Sequence, residues 1–250
     1  MDHSKHVAVI TGAGQGIGRT YATALAEDGA TVVVADLNLE AAQQTVKIIG
    51  EQGGKALAIR VDVSDKESTL ALAETVKQEL GAAHILVNNA AIYHSMRTDG
   101  QLDVDIDYWR RVMAVNVDGA LLMTQALAPL LIDAGWGRVV NQTSMGAYLG
   151  MGGHYNVSKL ATIGVTQGFA FELGRHDITV NAIAPGVIMT DATKSVASEG
   201  LYRMTEAGAA IKKKGSPDDL VGTLRFLVSD AAAWMTGQTL LVDGGFTKRI

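Results

Sequence analysis

Of the six tyrosines, Tyr155 alone is followed four residues later by a lysine, Lys159, inside a segment of helical composition. That spacing puts the phenol and the ammonium on one helix face. A free phenol titrates near ~10 and is a poor base at neutral pH, whereas a close ammonium favours the phenolate and lowers that value. The pair could therefore serve as a tuned acid/base; the plain alternative is an aromatic core residue beside a surface lysine. Ser144 lies upstream at the end of an apolar strand, where its hydroxyl could bond a substrate oxygen and steady charge developing on it, or simply cap a turn. Asn116 sits in the long helical segment before it, either as a further member of this group or as a buried amide bonded to backbone. The six histidines form no metal-ligand spacing: His3 and His6 belong to a terminus expected to be mobile, and the rest are scattered.

A second cluster lies near the start of the chain. An apolar run, Val7 to Ile10, leads through Thr11 into Gly12, Gly14, Gly16 and Gly18, with Gln15 and Ile17 between them, and then into a helical pattern. Glycines let backbone approach a pyrophosphate, and the first N–H groups of a helix face it. Asp36 closes the next strand about twenty residues on, where a carboxylate accepts from adenosine ribose hydroxyls and repels a 2′-phosphate. It can also be a strand-end turn residue. This favours NAD(H) over NADP(H) as cofactor. Asp62, ending the third strand and followed by Val63, is a candidate contact for the adenine.

The elements that must position these residues follow from periodicity. Short β-branched runs at 6–10, 31–35, 57–61, 84–87, 138–142, 178–183 and 239–242 alternate with helical patterns at 16–28, 39–52, 66–80, 104–132, 153–174 and 217–228. Alternation of this kind predicts an α/β fold with a parallel sheet and crossover helices. The runs are nearly continuous in apolar residues, as in strands covered on both faces. Ser216 reads as the cap of the last helix, with Pro217 at its first position. No repeat or linker divides the chain, so one domain is expected over residues 1–250. Residues 189–215 are the least regular long stretch and a candidate lid.

Composition narrows the function classes. A formal charge of -5 offers no basic face for a phosphate backbone, so nucleic acid is not an expected partner, and Lys212 to Lys214 read as a solvated patch. With no cysteine there is neither a disulfide nor a thiolate metal site. The first apolar run is too short for a leader peptide; neither a membrane nor export is expected, and the cytoplasm is the default location.

Taken together, these motifs resemble the short-chain dehydrogenase/reductase family over almost the whole chain, from Val7 to Gly245. Its Thr-Gly-x-x-x-Gly-x-Gly motif matches Thr11 to Gly18. Its Asn-Asn-Ala-Gly motif matches Asn88 to Ala91, with Ala91 where the family has glycine; a position needing positive φ would be strained there. The resemblance implies a Rossmann fold, a doubly wound seven-stranded parallel sheet with helices on both faces. It implies a catalytic set of Asn116, Ser144, Tyr155 and Lys159. It adds Asn89, Pro185, Gly186, Val187, Ile188 and Thr190 to the cofactor contacts, with Tyr155 and Lys159 also touching the cofactor.

The implied reaction interconverts a secondary alcohol and its ketone. Tyr155 takes or gives the hydroxyl proton as hydride moves to or from the nicotinamide. Lys159 lowers the phenol's pKa and bonds the nicotinamide ribose, Ser144 holds the substrate oxygen, and Asn116 supports a water leading from Lys159 to solvent. His94, Met96, Met145, Ala147, Leu149, Met151 and His154, with Ile92, Tyr93 and Tyr148, fall in the segments that line the substrate pocket in similar proteins. Apart from His94 and His154, which would be its polar contacts, the lining is apolar and predicts a fairly bulky, cyclic or aromatic substrate, unless several of these side chains pack inward. The family further implies a homotetramer built through the long helices and residues 237–245, with a dimer as the alternative. Two other readings stay open: a carrier-linked 3-oxoacyl reductase, which usually prefers NADPH, and a sensor that binds NAD(H) without turnover.

Overall fold

The computed structural model describes residues 2–248 except 94, 95, 98, 151, 152, 197 and 198, together with the side chains of 194–196 and 199. The chain runs β1 (Val7–Thr11), α1 (Gly16–Glu27), β2 (Thr31–Asp36), α2 (Leu39–Glu51), β3 (Lys55–Arg60), α3 (Lys66–Leu80), β4 (Ile85–Asn88) and α4 (Ile106–Met113). It continues through α5 (Gly119–Asp133), β5 (Gly137–Gln142), α6 (His154–Leu173), β6 (Ile178–Pro185), α7 (Asp191–Val196), α8 (Glu199–Gly208), α9 (Asp218–Leu227) and β7 (Thr239–Val242). All seven strands pair in parallel in the order β3-β2-β1-β4-β5-β6-β7. The order reverses between β1 and β4, and a crevice opens beyond the carboxyl ends of such strands.

The five inner strands are buried on both faces, and two apolar clusters result. One, with Val9, Val33, Leu86 and Val139, packs against Leu72 and Val76 of α3 and Met123, Leu127 and Leu131 of α5. The other, with Ile10, Val34 and Ile183, packs against Tyr21 and Leu25 of α1 and Leu220 and Leu224 of α9. The alternation of side chains along each strand sends successive residues to opposite layers. Burial on both faces does not extend to the edges: β3 and β7 are only half-buried.

Four details depart from the sequence expectation. The long helix is continuous from Ile106 to Asp133 but holds a π-helical turn, Ala114–Asp118, which carries Asn116. This run is apolar and long enough to cross a membrane, yet half of its most apolar window is buried against the rest of the fold. Residues 189–215 hold α7 and α8 and are therefore largely helical. Pro217 has helical φ as expected, but the Ser216 hydroxyl donates to Asp219 Oδ2 at 3.0 Å, and Asp219 also accepts from the Ser216 N–H at 2.8 Å. Finally, His3 is buried, and His6 stacks on Trp136 with centroids 4.4 Å apart, so this terminus is packed. Among the described residues Asp177 alone combines a side chain with positive φ, so Ala91 carries no such strain.

Candidate active site

A cleft of about 630 Å³ lies at the carboxyl ends of the strands, and its floor is the β1–α1 turn. Gly12 has φ +62, and a Cβ there would come within 2.9 Å of Ala90 Cα; one on Gly18 would lie 2.2 Å from the Gly12 carbonyl oxygen. No side chain fits at either position, so the turn packs backbone closely on its neighbours, and both glycines line the cleft. Asn89 fixes the turn: its Nδ2 donates to the Thr11 and Gly12 carbonyls at 3.0 and 3.1 Å, and its N–H donates to Thr11 Oγ1 at 3.0 Å. At the end of β2, Asp36 accepts from the Gly14 N–H at 2.8 Å and the Asn38 N–H at 2.9 Å. Arg19 is committed beneath the turn to the Gly14 carbonyl and the Thr45 hydroxyl. A bare backbone cradle at a helix N-terminus, with one carboxylate at its far side, fits a dinucleotide.

Gln15, Gly16, Ile17, Asp62, Val63, Pro185, Gly186, Val187, Ile188 and Thr190 also line this cleft. One oxygen of Asp62 is held by the N–H and hydroxyl of Ser64, at 3.0 and 2.6 Å. Thr190 Oγ1 accepts from the Thr193 N–H at 3.1 Å and lies 2.9 Å from the Thr193 hydroxyl.

At the other end of the same cleft, the Ser144 and Tyr155 hydroxyls lie beside each other. Ser144 follows β5 and also accepts from the Gly146 N–H at 3.1 Å, which fixes its rotamer. Lys159 is buried one helical turn beyond Tyr155, with its Nζ 5.7 Å from the phenol ring centre. Nζ donates to the Gln142 carbonyl at 2.8 Å, and the Thr143 hydroxyl ties the Lys159 carbonyl to β5 at 2.6 Å.

Asn116 stands behind this group. Its Oδ1 accepts from the Ile92 N–H at 2.7 Å, and its Nδ2 donates to Ser158 Oγ at 3.0 Å, which donates on to the Tyr155 carbonyl at 2.7 Å. A π-helical turn widens the backbone ladder. Asn116 and Lys159 both line an internal void of about 10 Å³, the size of about one water molecule.

The electrostatics differ from the sequence expectation in one respect. Lys159 does not bring the Tyr155 phenol down. Burial raises that phenol well above its usual value, Tyr93 raises it further, and the Ser144 hydrogen bond lowers it in part. Burial also pushes Lys159 down to about 8, because none of the described carboxylates pairs with it. A phenolate and an ammonium favour each other's ionisation, but here the loss of water outweighs that attraction. In this structure the pair is thus a protonated phenol beside a weakened ammonium.

The structure brings Met96, Met145 and Leu149 to the cleft wall, with Ile92 and Tyr93. It does not bring His154 or Ala147 there. His154 is buried edge-on against Tyr108 of α4, with centroids 5.1 Å apart; adjacent helical residues point about 100° apart, so the neighbour of a cleft-facing tyrosine faces elsewhere. Ala147 lies on the short 3-10 turn Met145–Tyr148, off the cleft lining. His94 and Met151 fall outside the described residues. Arg111 of α4, Thr193 of α7 and Leu201 of α8 line the cleft without having been expected. Arg111 shares a helix with Asn116, which was a usable signal; Thr193 and Leu201 carried none, being brought in by the way α7 and α8 fold back.

A family model described as enoyl-(acyl carrier protein) reductase matches residues 12–247. An uncharacterized oxidoreductase of Mycobacterium tuberculosis is 45% identical over 96% of each chain. The 7alpha-hydroxysteroid dehydrogenase of Escherichia coli K12 is 38% identical over 97% of this chain and 94% of its own length. A solved structure of a 7alpha-hydroxysteroid dehydrogenase, complexed with NADH and 7-oxo glycochenodeoxycholic acid, superposes with a TM-score of 0.93 at 36% identity, covering 99% of this chain and 96% of that one.

Proposed function

From the premise that the chain belongs to the short-chain dehydrogenase/reductase family of oxidoreductases, whose dehydrogenases use nicotinamide cofactors, we propose that it is an NAD(H)-dependent enzyme interconverting a secondary alcohol and its ketone. The observation that carries this reading is a single cleft with a glycine cradle and a carboxylate at one end and the adjacent Ser144 and Tyr155 hydroxyls at the other. The dehydrogenase relatives support it.

The backbone from Gly12 to Gly18 would hold the cofactor's pyrophosphate, Asp36 its adenosine ribose, and Pro185 to Ile188 with Thr190 its nicotinamide. Bound there, the nicotinamide supplies hydride exchange. Preference for NAD(H) rests on Asp36, which would repel a 2′-phosphate, and on Leu37, which offers no cation beside it.

The remaining steps belong to the protein. Ser144 donates to the substrate oxygen and positions it against Tyr155. In reduction the protonated Tyr155 gives its proton to that oxygen as negative charge grows on it; in oxidation the phenolate takes the proton back. Because burial favours the neutral phenol, the resting site is set to donate, and oxidation should accelerate toward alkaline pH. Lys159 then supplies the proton that Tyr155 has lost, and the void between Lys159 and Asn116 offers a path for its replacement.

The apolar lining, Ile92, Met96, Met145, Leu149 and Leu201, favours a fairly bulky cyclic or aromatic substrate. Residues 189–215 act as a lid, meeting the cleft at Thr190, Ala192, Thr193 and Leu201. A homotetramer in the cytoplasm completes the reading. Phe171 and Leu160 on α6 and Trp234 before β7 expose apolar surface of the kind subunit interfaces cover, and light scattering checks it.

The family model's description keeps a second reading in view, a carrier-linked acyl reductase. Purified protein with NAD⁺ or NADP⁺ and a panel of hydrophobic secondary alcohols, followed by the absorbance of the reduced nicotinamide at mildly alkaline pH, separates the two. Turnover with NAD⁺ and little with NADP⁺ supports the proposal. Preference for NADPH with 3-oxoacyl thioesters overturns it, and NADH binding with no turnover points to a sensor.

A further inference from the structure

Tyr93 follows the β4 motif and lines the cleft. Its ring lies 5.1 Å, centre to centre, from that of Tyr155, with the planes inclined at 51°. The phenol is largely removed from water, which raises its pKa, and its hydroxyl lies by the Thr193 side chain. Thr193 is buried on α7 and is itself bonded to Thr190. One side chain thus touches the loop after β4, the acid/base phenol, and the first turn of the lid.

The neighbouring wall is of another kind. Met96, Met145 and Leu149 are flexible, and methionine in particular adapts to many shapes. Tyr93 has few rotamers and is held at its ring by Tyr155 and at its hydroxyl by Thr193. Besides Tyr155, Tyr93 is the one aromatic ring among the described residues that line the cleft, and the two rings are in contact, so it is the aromatic surface open to a substituent of a substrate held at the Tyr155 hydroxyl. A ring substituent can pack offset or edge-on there, whereas a short acyclic chain leaves that face largely uncovered.

We propose that Tyr93 is the specificity-determining residue of this site: its ring is the wall that selects secondary alcohols and ketones bearing an aromatic or alicyclic ring next to the carbinol carbon, and its packing against Tyr155 and Thr193 holds that wall in place. The inference rests on the alcohol/ketone reading and goes beyond it in naming the selecting group.

Two substitutions separate wall from brace. Tyr93→Ala should lower the ratio of kcat/KM for 1-phenylethanol or 1-cyclohexylethanol to that for 2-butanol by about tenfold or more. Tyr93→Phe keeps the ring and should restore the ring-to-acyclic preference, with KM raised for every substrate and kcat little changed; Thr193→Val should copy it. A Tyr93→Ala enzyme, folded by its thermal melt, that keeps the wild-type preference overturns the proposal, as does a Tyr93→Phe enzyme that loses the preference as fully as the alanine variant.

Failure of the underlying reading is seen separately, as a wild-type protein that binds NADH and turns over no alcohol or ketone. The wall is also read without turnover, by quenching of NADH fluorescence as acetophenone or 2-butanone binds to the NADH complex of Tyr155→Phe. Adding Tyr93→Ala should weaken acetophenone about tenfold and leave 2-butanone within about threefold; equal affinities for acetophenone with and without Tyr93 overturn the assignment.

Discussion

The two ends of the parallel sheet both take ionisable side chains out of water, and they do opposite things with them. At the carboxyl ends, Tyr155 and Lys159 lie on the wall of an open cleft. At the amino ends of β1, β4 and β5, His6 lies 5.1 Å from His84 and stacks on Trp136, and the Arg138 guanidinium sits 4.2 Å above the Trp136 ring. Asp230 ties this stack together, accepting from Trp136 Nε1 at 2.9 Å and pairing with Arg138 at 3.4 Å. His84 Nδ1 accepts from the Val7 N–H at 3.1 Å. Burial lowers the pKa of His3, His6, His84 and Arg138 here, as it lowers that of Lys159 at the other end. A perturbed pKa therefore does not by itself mark a site. What separates the ends is space: rings close-pack at one, while polar tips border a cavity at the other.

The sharpest way to break this contrast is Tyr155→Phe, which removes one oxygen from the cleft. Turnover should fall by about 10²–10⁴-fold while NADH binds almost as before, and substantial remaining activity would remove Tyr155 from its role. Gly18→Ala comes next. Its methyl group would meet the Gly12 carbonyl at 2.2 Å, so the cradle must shift, with a loss of about 1–3 kcal/mol in stability and NADH affinity weakened at least about tenfold. Unaltered NADH titration would show that the cradle is not the cofactor's seat.

Lys159→Met tests the opposition between function and stability. The folded-state pKa of Lys159 lies below its ordinary value, so the folded chain binds fewer protons than the unfolded chain between about pH 8 and 10.5. The wild type therefore gains stability as pH rises through that window. At pH 7 the buried ammonium is a cost, and the methionine variant should melt higher, by about 1 kcal/mol of stability, with turnover collapsed. The advantage should shrink toward pH 10.5. A variant less stable at pH 7 would mean that the bond to Gln142 outweighs the lost hydration.

The smallest effect belongs to the amino end. His3, His6 and His84 have lowered pKa values, so below pH 6.5 the unfolded chain takes up more protons than the folded one. Stability is complete above that pH and falls as pH drops, by about 1 kcal/mol or less for the three together. Trp136 emission should follow the same titration, and His6→Ala should flatten it without altering kcat at neutral pH. A change in kcat would tie the two ends together and break the comparison.

Much of the site was legible before folding because its signals are local. The glycine spacing before α1, the carboxylate closing β2 and the four-residue step from Tyr155 to Lys159 each concern one element and its period. The alternation of apolar runs and helical patterns likewise located all seven strands, with boundaries shifted by a residue or two. Contacts assembled from distant segments were not legible. His154 looked like a pocket residue because it precedes Tyr155, but α4 supplies Tyr108 to bury it. His3 and His6 looked like a loose end until Trp136 and His84, far along the chain, closed around them.

The sequence by itself determined the alternation of parallel strands and helices, the glycine spacing before α1 and the shared helix face of Tyr155 and Lys159, since helix and strand periods dictate which residues share a face; the doubly wound order followed from the family resemblance. Only the tertiary structure decided the protonation balance of that pair, the π turn that carries Asn116, and the brace from Tyr93 to Thr193. Desolvation and cross-element contact depend on neighbours remote in sequence, and those neighbours exist only once the chain has folded.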